Sequence, residues 1–230
     1  MIFQHTALLF VSLALLTLAA QAEPSFVGNE TCAGCHSTQV TDWTDSHHDL
    51  AMQEVSDDTV LGDFDNAKFV YEGVTTTFYK KDGSFWVETD NEKGQLRDYP
   101  VKYVFGVYPL QQLLLPTKEG SLNALSVAWD SRKSSEGGQR WYHIYEGQDP
   151  VSADSPLHWT GIYHNWNSRC AECHSTNVVK GYDAASRTYT TTYDQIDVGC
   201  EACHGPGSQH VQWAKEGKVR AGQTPADMGL

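Results

Sequence analysis

The chain has 230 residues, 40% of them hydrophobic, with 16 Lys and Arg against 29 Asp and Glu and a formal net charge of -13. That length fits one domain or a small pair, and the apolar fraction excludes a disordered acidic tail, so the chain must bury a core. The acidic balance argues against nucleic acid as the main partner, because phosphate binding needs clustered Lys and Arg; a basic docking partner or small solutes fit better.

Residues 1–22 contain no Lys, Arg, Asp or Glu and form a nearly unbroken apolar stretch from Ala7, closing on Ala20-Gln21-Ala22. They predict a secretory signal peptide removed before Glu23. The leading region carries only His5 where Lys or Arg is usual, which leaves an uncleaved membrane anchor as the alternative. The apolar core is shorter than the roughly 20 residues of a spanning helix, which favours removal. Because the segment is uncharged, the chain after it keeps the whole charge of -13.

Next comes Cys32-Ala33-Gly34-Cys35-His36, followed by residues 38–54, a stretch without Gly or Pro that Thr38 can cap as a helix. Residues 64–148 read differently, as an inserted small antiparallel β unit. Residues 74–79 and 84–89 are rich in β-branched and aromatic side chains, and Lys80-Lys81-Asp82-Gly83 between them signals a hairpin. Further strands are predicted at 98–105, 122–129 and 140–145, with Gly137-Gly138 and 116–120 as punctuation. From 150 to 210 the chain returns to helical and irregular sequence around Cys170-Ala171-Glu172-Cys173-His174 and Cys200-Glu201-Ala202-Cys203-His204, and Gly205-Pro206-Gly207 breaks the structure after the last of these. Residues 221–230 contain Gly and Pro and little apolar material, a weak domain end that leaves open a longer coding sequence.

All six cysteines fall into these three identical spacings, and no thiol is left over. Two thiols three residues apart share one side of a helical turn, where both can form thioethers with the vinyl groups along one porphyrin edge; the following His is placed under the iron. Zinc sites combine two Cys-x-x-Cys pairs and give no reason for a His after each. A redox dithiol needs one pair, beside a βαβ unit that the sequence lacks, and disulfides impose no common spacing. The spacing therefore predicts three covalently bound haem c groups, held by Cys32, Cys35, Cys170, Cys173, Cys200 and Cys203, with His36, His174 and His204 as proximal iron ligands. Such haems are attached outside the cytoplasmic membrane in bacteria, in agreement with the predicted export.

A second strong ligand makes a haem an electron carrier, whereas an open position lets it bind a small molecule. Of ten histidines, His5 lies in the signal and three are proximal, which leaves His47, His48, His143, His158, His164 and His210 for three positions. After residue 22 only Met52 and Met228 remain, too few for His/Met ligation throughout. Bis-His ligation follows as the expectation. Helical periodicity puts Val40, Trp43, His47 and Leu50 on one face and favours His47 over His48. His210 lies too close to His204 in sequence to reach easily around its own porphyrin, so it is expected on a neighbouring haem. His158 is the next choice, His143 reads as a packed core residue on a strand, and His164 stands between the two roles. The second and third motifs are close in sequence and predict haems in close contact; the first is left for space to place.

Val27-Gly-Asn-Glu-Thr-Cys-Ala-Gly-Cys-His36, with Trp43-Thr-Asp-Ser-His-His-Asp-Leu-Ala-Met52, resembles the multihaem cytochromes of the c-552/c-554 type. So do Leu157-His-Trp-Thr-Gly161, Asn165-Trp-Asn167, Cys-Ala-Glu-Cys-His-Ser-Thr176, Cys200-Glu-Ala-Cys-His-Gly-Pro-Gly-Ser-Gln-His210 and Phe105-Gly-Val-Tyr-Pro-Leu-Gln-Gln112. The resemblance implies that the distal ligand of the Trp-x-x-Ser-x-His pattern is His48 rather than His47, and it supports His210. Relatives usually continue into a fourth and later haems, whereas this chain stops after the third motif.

The resulting expectation is an α+β, haem-dominated fold in residues 23–230: helices and irregular chain around three c-type haems, with the β unit inserted. Its function would be electron transfer between redox partners, periplasmic or on the outer side of a bacterial envelope, through haems ligated distally by His48, His158 and His210. The partner would offer a basic docking face, and a membrane enters only if the signal segment is uncleaved. The alternatives are an oxidoreductase acting on small nitrogen or sulfur compounds at an open haem, and a haem module of a longer protein.

Overall fold

The structure is a computed structural model that describes residues 23–118, 120–217 and 222–229. The predicted signal peptide lies outside the described residues. Two short helices, α1 (Asn29–Ala33) and α2 (Ser37–Trp43), carry the first motif. The predicted helix over 38–54 stops at Trp43. Asp45 sits in the left-handed region at φ 60, where a helix cannot continue, and Met52–Glu54 is drawn into a strand, β1.

Strands β2 (Ala67–Tyr71), β3 (Val74–Lys81), β4 (Ser84–Asp90) and β5 (Leu96–Pro100) make a four-stranded antiparallel sheet in sequential order. The expected hairpin is β3–β4, with Lys81 opposite Ser84 and the turn residues Asp82 and Gly83 both at positive φ, as a tight two-residue hairpin demands. Strand 98–105 is split. Its first part belongs to β5, and Tyr103–Phe105 forms β6 in a second sheet, because the side chains on either side of Val101 face different layers.

The second sheet comprises β1, β6, β7 (Leu110–Pro116), β8 (Leu122–Ala124), β9 (Val127–Asp130) and β10 (Arg140–His143), in the order β1-β6-β7-β9-β10 with β8 against β7. The single strand predicted at 122–129 is thus two. Both faces of this sheet are covered. Phe78, Val87, Val104, Leu113, Leu115, Trp129, Trp141 and Trp159 fill the core between the sheets, while Tyr103, Leu114 and Ala124 point the other way and meet Met52, Trp166 and Ala171. Period-two alternation along β6 and β7 divides these sets, and cover on both sides explains why Leu113-Leu114-Leu115 is an unbroken apolar run. Phe78 stacks on Trp141 with ring centres 3.6 Å apart.

The outer face of this sheet carries the second motif. Helices α3 (Trp166–Arg169) and α4 (Ala171–His174) pack there, followed by a hairpin of β11 (Tyr182–Asp183) and β12 (Thr188–Tyr189). Helices α5 (Cys200–His204) and α6 (Ser208–Lys215) hold the third motif and its sequel. Among the described residues no helix is long and apolar enough to cross a membrane.

Candidate haem sites

Each motif is a single helical turn. The His36 amide donates to the Cys32 carbonyl at 2.9 Å and the His174 amide to the Cys170 carbonyl at 3.1 Å, while 200–204 is helical throughout. Positions i, i+3 and i+4 of a turn share one face, so two thiols and one imidazole converge in each. None of the six thiols is in a disulfide, and the second cysteine of every pair is exposed. This donor set is the one a covalently attached haem requires.

The second site is anchored by polar clasps. Asn165 caps α3, its Oδ1 accepting from the Ser168 amide at 3.0 Å, and its Nδ2 donates to the Ser121 hydroxyl at 2.8 Å. Asn167 accepts from the Leu122 amide at 2.8 Å and donates to the Gly120 carbonyl and the Thr191 hydroxyl. His174 lies edge-on to Phe105, ring centres 4.8 Å apart. Burial pushes its imidazole below the usual range, against a smaller opposing pull from the Ala51 carbonyl.

The first and third motifs form one unit. Asn29 Oδ1 accepts from the Cys200 amide at 2.9 Å, Ser25 and Ser208 exchange hydrogen bonds, and the Trp43 indole donates to the Val198 carbonyl at 3.0 Å. The Cys32 thiol donates to the Gly28 carbonyl at 3.6 Å, and burial, then Cys200, then Glu201 push it above the ordinary thiol range. The second motif joins through Thr176, fully buried, whose hydroxyl donates to the Asp197 carbonyl and accepts from the Gly199 amide. Sequence proximity alone pairs the second motif with the third; in space the first lies against the third as well.

His210, on α6, faces His36 with ring centres 6.1 Å apart and planes 23° from parallel. A metal–imidazole bond of about 2 Å, plus about 1 Å from nitrogen to ring centre, puts two imidazoles across one metal about 6 Å apart. The observed centre-to-centre separation is of that size. Nδ1 of His210 donates to the Met228 carbonyl at 2.9 Å, leaving Nε2 as the acceptor for a metal, and Trp213 stacks on the same ring at 5.3 Å.

The remaining histidines divide sharply. His158 is buried in the β layers with Nε2 at 3.2 Å from Asp90 and Nδ1 at 2.8 Å from the Thr160 hydroxyl. Both ring nitrogens are committed, and the structure does not bring it to a motif. His164 is likewise engaged, by the Ala124 carbonyl and the Tyr145 hydroxyl. His143 accepts from the Tyr145 amide and stacks on Tyr71 at 4.0 Å, a packed strand residue as expected. His47 and His48 are exposed on the turn after α2; the His48 carbonyl accepts from the Val198 amide at 3.2 Å, and the His47 ring lies 6.4 Å from Tyr108. Sequence reading passed over Glu201, 4% exposed, which ties the first and third motifs together. Its only sequence signal is its place between the two cysteines of the third motif.

Helical Cys-x-x-Cys-His turns gathered around a β scaffold define a multihaem c-type cytochrome. The family model for cytochrome c554 and c-prime matches residues 31–94 and 129–205. The chain belongs to this family, which implies covalently bound haem c and electron transfer. Among solved structures it is similar to the outer cell wall cytochrome OcwA, at 20% identity and a TM-score of 0.50, over 89% of this chain and 36% of that one. It is also similar to an undecahaem cytochrome from the S-layer of Carboxydothermus ferrireducens, at 19% identity and a TM-score of 0.48, over 83% of this chain and 22% of that one. The chain therefore spans about a third and about a fifth of their lengths. A search of curated proteins finds no match.

Proposed function

We propose that the protein is an exported trihaem cytochrome that passes electrons between redox partners and performs no substrate chemistry of its own. The observation that carries this reading is the His36–His210 pair, spaced for two imidazoles across one iron. His210 then ligates the first haem from the segment that follows the third, as expected of a ligand too close to its own motif.

With His143, His158 and His164 engaged elsewhere, three histidines remain for three irons: His47, His48 and His210. His47 takes the place that sequence reading gave to His158. The turn bearing both residues leads into β1, whose Met52 pairs with Phe105, the ring edge-on to His174, and is tied to Val198 before the third motif. Filling all six positions favours a carrier over an oxidoreductase for small nitrogen or sulfur compounds. The clasp between the first and third motifs would hold their haems near one another, a short path for an electron.

The acidic chain, made more negative by haem propionates, would dock a basic face of its partner. Its place would be the periplasm or the outer side of a bacterial envelope, in keeping with the cell-wall and S-layer origin of the two similar structures. A second reading, a three-haem segment of a longer cytochrome, is favoured by the 36% coverage of OcwA. Mass spectrometry of the purified protein, with a near-infrared and spin-state spectrum of the ferric form, tests the proposal. Three haem masses on the processed chain and only low-spin bis-His iron are expected; extractable pigment or a high-spin haem that binds cyanide would overturn it.

A further inference from the structure

We infer that Glu201 is a fixed buried anion that lowers the reduction potentials of the first and third haems together, a tuning role that rests on the trihaem reading. Its two oxygens accept from the Val27 amide at 3.0 and 2.9 Å, one also from the Gly28 amide at 2.8 Å, and the other from the Gly207 amide at 2.7 Å. Both oxygens accept and neither donates, so the group sits there as a carboxylate. Among the described residues no Lys or Arg forms an ion pair with it. Its negative charge is held by backbone dipoles rather than cancelled by a cation.

Glu201 lies between the cysteines of the third motif, and the amides it holds lie just before the first. Cys200, which would bear a thioether of the third porphyrin, precedes it in the chain, and the Cys32 thiol of the first motif donates to the carbonyl of Gly28, whose amide Glu201 holds. Reduction adds an electron to each haem, and a nearby anion opposes that addition. In a buried setting the interaction is barely screened, and local charge and burial are established levers on haem potential. The second motif offers the internal contrast. Its own glutamate, Glu172, has a side chain 74% exposed and is paired with Lys180 at 3.2 Å, so it exerts no comparable field.

The test is a spectroelectrochemical titration of the haem-loaded protein and its Glu201→Gln variant, with Glu172→Gln as control. Loss of the charge is expected to shift two of the three haems at least tenfold toward the ferrous form, about 59 mV for a one-electron couple, while the third and the control stay in place. Glu201→Asp, which keeps the charge but shortens the reach, is expected to loosen the fold and leave the potentials near those of the parent. Unchanged potentials in Glu201→Gln, a uniform shift of all three haems, or an equal shift in Glu201→Asp would overturn the inference. If Glu201→Gln is recovered without haem, the parent protein decides. Two of its potentials should lie below the third and stay there in 1 M salt, where screening acts over about 3 Å; a gap that is absent or closes with salt overturns the inference. A parent chain that carries fewer than three haem masses strikes at the trihaem reading instead.

Discussion

His36 and His210 come from opposite ends of the described chain, yet their imidazoles stand 6.1 Å apart and nearly parallel. One sits at the start of α2 and the other on α6, so the distance is set by the clasp between the first and third motifs. Replacing His210 by Ala should convert one haem to a high-spin form that binds cyanide and leave the others low-spin. Added imidazole should restore the parent spectrum. A variant with an unchanged near-infrared band would show that His210 is not a ligand.

His143 supplies an acid-sensitive element. Burial, with smaller repulsion from His164 and His158, lowers its pKa from 6.5 to about 4. The folded state therefore binds fewer protons than the unfolded one between these values, and stability falls as pH drops from about 6.5 to about 4. His143→Phe, which keeps a ring against Tyr71, should blunt that loss. Urea midpoints at pH 7.5 and pH 5 measure the difference.

Asp197 acts in the opposite sense. Burial, then the charge of Asp49, raises its carboxyl from 3.8 to about 6, and its Oδ1 is buried without a hydrogen-bond partner among the described residues. Here the folded state binds more protons, so stability falls as pH rises from about 4 to about 6. Asp197→Asn should be more stable than the parent above pH 6 and indistinguishable from it at pH 4, as thermal melts at the two values would show.

Asn167 holds the second motif to the outer face of the six-stranded sheet through the Leu122 amide, the Gly120 carbonyl and the Thr191 hydroxyl. Asn167→Ala removes three hydrogen bonds made by a buried side chain to part-buried groups, at a cost of about 1–3 kcal/mol. Chemical denaturation of the haem-loaded protein should show that loss, with His174 ligation intact in the folded state.

A net charge of -13 should make electron exchange with a basic partner fall steeply as ionic strength rises, because the encounter is steered by charge. Stopped-flow rates from low to physiological salt test this; rates independent of salt would remove the acidic surface from the docking step.

Short-range chemistry is legible along the chain. The spacing of two thiols and an imidazole over one turn needs no distant residue, and neither does the β3–β4 hairpin, whose turn residues carry their own backbone preference. The family resemblance also rested on contiguous strings, two of which, at Asn165–Asn167 and at Glu201, prove to be clasps. The helix expected over 38–54 was not decided locally, since pairing with β6 recruits Met52–Glu54 as an edge strand.

Histidine roles were not legible in the same way. An imidazole binds iron only if nothing nearer takes its nitrogens, and the partners that do so, Asp90 for His158 and Ala124 and Tyr145 for His164, lie far away in sequence. The two Cys-His-Ser-Thr strings make the same point. Ser37 and Thr38 are exposed, whereas Ser175 and Thr176 are buried and bind the chain before the third motif. Sequence by itself determined that two thiols and an imidazole converge in each motif, because that depends on bonds within a single turn. Only the tertiary structure decided which motifs lie together and which imidazoles are taken by hydrogen bonds, because burial and hydrogen bonding depend on segments brought together by folding.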